Sequence, residues 1–231
     1  MIDVTRAAEA PASLAANDRY DGEDVITTLH RDFLGKCYLC ETSIQLGTFT
    51  IDHRKPQGER QFPELRCAWT NLFPTCNTHR CNERRKKRYP PGGLLDPGDG
   101  VEARLHQRLE RPSAVLASAA ASLSFAAAQA GDVAAENTAA ELDRIHNGTD
   151  ASGPARRTAS ALRGAILLHV ELIAQKLRDL QTEAADASDR ALRIAELRVL
   201  FSRRAPYTML VRSCLAGLPA ARELFDDVPP A

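Results

Sequence analysis

Apolar positions recur at helical spacing in two parts of the chain, and a short alternating stretch lies between them. Residues 24–36 carry Val25, Ile26, Leu29, Phe33 and Leu34 along one helical face, and Gly35 supplies a stop. After the alternating stretch, residues 137–146 predict a helix and 147–154 a loop. Residues 158–181 give the strongest helical pattern, with Leu162, Ile166, Val170, Ile173, Leu177 and Leu180 in step. A further helix is expected over 188–201 (Leu192, Ile194, Ala195, Leu197, Leu200, Phe201), and another from Pro206 to near Gly217.

Between these helices, Thr48-Phe49-Thr50-Ile51 alternates as a strand ending on Asp52-His53, and Pro56 blocks its continuation. Leu72-Phe73 predicts a second short strand, closed by Pro74 after a loop over 57–70. Residues 78–88 favour a helix that stops at the Pro-Pro-Gly-Gly run beginning at Pro90. Residues 94–100 carry turn chemistry. Residues 101–130 read equally as strand or helix, and 1–19 as a weakly helical or poorly ordered lead-in. The expected class is α+β, mainly helical, in three parts: a lead-in over 1–23, a strand-loop-strand-helix module over 24–100, and a mainly helical region over 101–231.

Composition adjusts this outline in two ways. Of the 231 residues, 44% are hydrophobic, enough for a core, while aromatics are only 5%. The net charge is zero, yet residues 31–90 hold 12 Lys/Arg against 6 Asp/Glu, a local excess of +6. A basic module in a neutral chain suits a polyanion-facing surface. The first twenty residues lack the apolar centre of a secretory leader, and no run approaches a membrane span. The expected setting is cytoplasmic and reducing, where paired cysteines serve metals rather than disulfides.

Those cysteines bracket the candidate chemistry. Cys37-x2-Cys40 and Cys76-x4-Cys81 supply four thiolates for a tetrahedral, structural Zn2+. His79 offers an alternative to Cys81 in the wider second pair; because 81 is itself a cysteine, the all-thiolate set is preferred. Cys67 and Cys214 read as ordinary small apolar residues. His53, following Asp52, is a candidate general base at neutral pH. Asn82 carries a hard amide oxygen, and with Asp52 it would offer donors to a catalytic Mg2+ or Mn2+. Asn71 is suited to bonding backbone and shaping the loop after His53. Arg54, Lys55, Arg84, Arg85 and Lys86 form the candidate nucleic-acid contacts, with Arg85 on the same helical face as Asn82.

At these residues the chain resembles the HNH endonucleases, which share a zinc-pinned ββα-metal fold. Asp52-His53 matches the first motif position, Asn71 the middle one and Asn82 the third. The resemblance implies His53 as general base, Asp52 and Asn82 as catalytic-metal ligands, Asn71 as structural, and DNA cleavage as the activity. A narrower likeness, through Cys-Tyr-Leu-Cys-Glu, Ile-Asp-His-Arg-Lys-Pro, Phe62-Pro-Glu-Leu, Trp69-x-Asn-Leu, Cys81-Asn-x-x-Arg, Arg88-Tyr-Pro and Leu-Leu-Asp-Pro, is to the PtuB-type HNH proteins of Septu anti-phage systems. It covers about residues 20–100 and departs from them in the four-residue gap between Cys76 and Cys81. It implies a partnership with an SMC-like ATPase of the PtuA type, docked on the helices of about 135–225. The competing expectations are a zinc-pinned nucleic-acid-binding module without catalysis and a stand-alone restriction or mobile-element nuclease.

Overall fold

The computed structural model describes residues 1–17, 19–58, 61–85, 87–110, 122–149, 151–182, 186–215, 221 and 224. About half of the chain is helical, with two small antiparallel sheets, so the α+β class holds. An extended segment leads to α1 (Ala12–Asn17) and α2 (Glu23–Asp32). α2 ends earlier than its apolar pattern suggests. Leu34 and Gly35 take left-handed φ of 58° and 68°, and the Gly35 amide turns back to the His30 carbonyl at 2.7 Å.

β1 (Thr50–His53) pairs antiparallel with β2 (Leu72–Thr75), in register Asp52 to Phe73 and His53 to Leu72. Two one-turn 3-10 helices, Pro63–Leu65 and Trp69–Asn71, punctuate the connecting loop. Pro74 lies inside β2 rather than ending it. A two-stranded sheet leaves the strand's outer edge free of a ladder, so the missing N–H costs little there. The Pro74 carbonyl is still used, accepting from the Tyr38 amide at 3.0 Å.

α3 (Cys81–Arg84) is one turn, where the pattern predicted a helix through 88. Arg85 leaves it with extended backbone, because Arg84 and Arg85 are drawn inward to separate partners, the Ile145 carbonyl and the Asp52 carboxylate. Of the two-way segment after residue 100, the described residues form α4 (Val101–Arg104), β3 (Leu105–Glu110) and β4 (Ser122–Ala127), with β3 and β4 antiparallel, and 111–121 lie outside the described residues. The run Ser122-Leu123-Ser124-Phe125 lies within β4.

α5 (Val133–Asn147) packs on β4 and is capped at its start by the Asp132 carboxylate, which accepts from the Ala135 amide. Gly148 closes it at φ 73°. α6 (Gly153–Thr182) buries Leu162, Ile166, Val170, Ile173, Leu177 and Leu180 along the face its periodicity marks. α7 (Ala187–Phe201) buries Leu197 and Phe201 while leaving Leu192 and Val199 exposed. α8 (Thr208–Leu215) begins after Pro206, since left-handed Tyr207 (φ 57°) makes that stretch a turn.

One continuous core joins these parts. Val25, Leu29, Phe33, Leu72 and Phe73 share it with Leu105, Leu142, Ile166 and Phe201. The lead-in belongs to it as well, contrary to the expectation of poor order: Met1, Ile2 and Leu14 are buried. No helix among the described residues is long and apolar enough to cross a membrane.

Candidate metal centre and the Asp52-His53 site

The chain leaves α2 through a tight turn. The Cys37 carbonyl accepts from the Glu41 amide at 3.0 Å, the Cys37 amide donates to the Thr42 carbonyl at 2.9 Å, and Glu41 takes a left-handed φ of 58°. This presents Cys37 and Cys40 to one side. Cys76 follows β2, and Asn77–Arg80 make the turn into α3, with Arg80 also left-handed. The extra length of the second pair is taken up there, so Cys81 arrives at the head of α3 facing the other three.

All four sulfurs are buried and lie within 4.8 Å of one another, with Cys40–Cys76 and Cys76–Cys81 each at 3.5 Å. Sulfurs around a tetrahedral zinc with ~2.3 Å bonds stand about 3.8 Å apart, so this grouping matches that geometry. The group comprises the four cysteines and does not include His79. Burial pushes the Cys40 thiol well above its ordinary range, and bonds to neighbouring sulfurs do the same for Cys81. Hydrogen bonds from Cys37, Cys40 and Cys81 hold Cys76 far below. Ionising these packed thiols together calls for a positive charge among them, which a divalent cation would supply. Donor type, spacing and burial fit Zn2+.

Asp52 and His53 are consecutive on β1, so their side chains leave opposite faces. Asp52 points inward and is 2% exposed. Tyr38, between the first two cysteines, donates its hydroxyl to Oδ2 at 2.6 Å. Arg85 sets Nε between the two carboxylate oxygens at 3.0 and 3.1 Å. Its Nη1 donates to the Arg54 carbonyl at 3.1 Å and its Nη2 to that of His53. Burial raises Asp52 from its ordinary value, against the pull of Arg85, and burial also pushes the Tyr38 phenol well up so that it remains a donor.

His53 occupies a polar niche on the other face. Its Nε2 lies 2.8 Å from the Arg66 carbonyl, which can only accept, so Nε2 carries the proton and Nδ1 bears the lone pair. Gln57 donates to Nδ1 at 3.2 Å, and Tyr20 meets the ring edge-on at 4.8 Å between centroids. Burial lowers the imidazole below its ordinary value, which keeps it neutral.

Asn71 is fully used by backbone. Its amide nitrogen donates to the carbonyls of Lys55 (3.0 Å) and Leu65 (3.2 Å), and its oxygen accepts from the Lys55 amide (2.8 Å). It staples both arms of the loop that carries Gln57 and Arg66. No family model, curated protein or solved structure matches this chain.

The remaining expected residues divide. Asn82 is half-buried on α3, and none of the described residues bonds its amide. Asp52 does not suit a hydrated Mg2+ or Mn2+ as arranged, because both oxygens are committed to Arg85 and Tyr38 behind closed packing. Arg85 and Arg84 are not surface phosphate contacts: both are 7% exposed, and Arg84 reaches inward to the Ile145 carbonyl. Arg54 pairs with Asp96 at 3.2 Å, and the Lys55 ammonium lies over the rings of Phe62 and Tyr89. Lys86 lies outside the described residues. Sequence reasoning passed over Tyr38, Gln57, Tyr20 and the Arg66 carbonyl. A tyrosine between two cysteines and a glutamine in a loop carry no periodic or motif signal.

Proposed function

We propose that the chain is a zinc-pinned endonuclease of the HNH type, hydrolysing phosphodiester bonds of DNA with His53 as general base. The observation that carries this reading is the 2.8 Å contact between His53 Nε2 and the Arg66 carbonyl, from which the tautomer follows. A backbone carbonyl fixes the proton on Nε2, leaving Nδ1 basic at the end of a strand pinned by a sulfur cluster. In this reading a water displaces Gln57 from Nδ1. As the water gives its proton to the imidazole, its oxygen bonds phosphorus, the P–O ester bond breaks and the departing oxygen takes up a proton from solvent; the imidazole later returns its own proton to solvent. Asn71 and the Arg66 carbonyl hold the ring in place; Arg85 and Tyr38 fix Asp52 behind it. The reading includes an SMC-like ATPase of the PtuA type as partner in anti-phage defence, a role supported by the sequence resemblance alone.

The test is His53→Ala in zinc-loaded protein, assayed by plasmid nicking with Mg2+ or Mn2+ supplied. Zinc content and melting temperature are expected to persist while nicking disappears. Undiminished nicking by the variant would overturn the assignment. A second reading, a zinc-pinned nucleic-acid-binding module without hydrolysis, is favoured by the internal commitment of Asp52 to Arg85. It requires that the wild-type chain bind DNA without cutting it under any divalent cation.

A further inference from the structure

Cys40 meets a hydroxyl as well as its fellow sulfurs. Its Sγ lies 3.2 Å from Thr42 Oγ1, and that oxygen lies 3.3 Å from the Tyr207 hydroxyl. A string of three polar groups thus runs from the sulfur cluster to the segment that opens α8. Thr42 belongs to the tight turn that presents the first two cysteines, since its carbonyl accepts from the Cys37 amide at 2.9 Å. Tyr207 is 6% exposed and arrives from 165 residues further along the chain. Two bonds seat its segment on the same turn: its amide donates to the Glu41 carbonyl at 3.2 Å, and the Met209 amide donates to the Glu41 carboxylate at 3.3 Å. Its left-handed φ of 57° is uncommon for a bulky residue and persists only where surrounding contacts hold it.

A hydroxyl is donor and acceptor at once, and its hydrogen turns to suit its neighbours. While Cys40 is a thiol, its S–H donates to Thr42, whose own hydrogen points to Tyr207. Thiolates gathered around one Zn2+ carry more negative charge than the ion offsets, and in a buried cluster the excess is relieved by donors aimed at the sulfurs. With Cys40 ionised, the string runs the other way. Thr42 donates to the thiolate, and the Tyr207 phenol donates to the Thr42 oxygen. Burial pushes this phenol up to about 12, so it holds its proton and serves as the last donor. Each donor in the row polarises the next. Such a row stabilises the thiolate over the thiol, and metal affinity rises with it, because the metal binds only the ionised sulfur.

We propose that Thr42 and Tyr207 are positioning residues for the metal: they stabilise Cys40 as a thiolate and so set how tightly the sulfur cluster keeps a zinc ion. The proposal rests on the four cysteines being a zinc site and makes no use of hydrolysis at His53. Thr42, in hydrogen-bond contact with the sulfur, carries most of the effect, and Tyr207 acts through it. The helical part of the chain thereby contributes to a metal centre whose four ligands all lie ahead of it in the sequence.

The test measures the zinc affinity of the full chain by competition with a chromophoric chelator, under reducing conditions at constant pH and ionic strength. Thr42→Val keeps the shape and loses the hydroxyl, and it should weaken zinc binding by about tenfold or more, the usual cost of removing an outer partner of a ligand. Thr42→Ser should restore near-wild-type affinity, and Tyr207→Phe should show a severalfold loss. Replacing zinc with Co2+ gives a readout that mere destabilisation does not move. Without its donor the Cys40 sulfur is richer in electrons, so the sulfur-to-cobalt charge-transfer band should shift to lower energy in Thr42→Val, less in Tyr207→Phe, and not in Thr42→Ser. Should Thr42→Val fold poorly, Tyr207→Phe carries the test by the same two measurements. Wild-type affinity with an unmoved band in the folded variants would overturn the proposal. An affinity loss without a band shift would give the hydroxyls a merely structural part and overturn it as well. A wild-type chain that takes up neither zinc nor Co2+ would overturn the metal reading and this proposal together.

Discussion

Replacing Asp52 with asparagine is the sharpest probe of how the module is held together. The substitution keeps shape and volume and removes one charge. Arg85 would then sit at 7% exposure with no anion against Nε. Breaking a buried pair from one side costs about 3–5 kcal/mol, because the surviving charge stays desolvated. Against a typical domain stability of about 5–15 kcal/mol, that is a large fraction. The melting temperature should fall by about 10 °C, taking about 2–4 °C per kcal/mol for a chain of this size. Asp52→Asn combined with Arg85→Met should recover most of the loss, since replacing both partners leaves no stranded charge. Urea unfolding of the wild type, both single variants and the double variant, all saturated with zinc, gives the coupling energy. A coupling below about 0.5 kcal/mol would refute the reasoning, because pairs that do not interact are additive within that margin.

Other expectations follow from the same geometry. Cys81→Ser should abolish stoichiometric zinc binding and the cooperative unfolding of the module, while His79→Ala should retain one zinc per chain by atomic absorption. Asn71→Ala removes three hydrogen bonds to buried backbone and should cost about 3 kcal/mol, with faster amide exchange at Lys55. His146, buried against Phe125, has its imidazole lowered to about 4 by burial. The unfolded chain therefore takes up this proton near pH 6.5 and the folded chain only near 4, so stability should fall by about 3 kcal/mol as pH drops through that window. His146→Phe should flatten that part of the stability-pH curve, and an unchanged slope would count against the assignment.

Much of the fold was legible because its signals are local. The six core positions of α6 lie where a 3.6-residue period puts them, and the four cysteines converge as their pairing implied. The misses have non-local causes. α3 is short because Arg84 and Arg85 are claimed by α5 and by Asp52, partners 61 and 33 residues away. A run of arginines looks like a solvent-facing surface until tertiary partners are known. The lead-in joins the core through Arg6 and Met1, whose destinations lie in distant segments. At the candidate site, residue types marked Asp52 and His53 as chemically interesting, whereas the hydrogen bonds dividing their tasks come from Tyr38, Arg66 and Arg85, which carry no local signal.

Tyr38 is flanked by two sulfur donors, its amide is tied to β2, and its hydroxyl is tied to Asp52. Stripping the ion from the thiols would slacken the turn that aims this phenol and loosen its grip on the carboxylate. Chelation or oxidation of the sulfurs would thus reach the neighbourhood of His53 without any reagent entering it, with a single aromatic side chain as the lever.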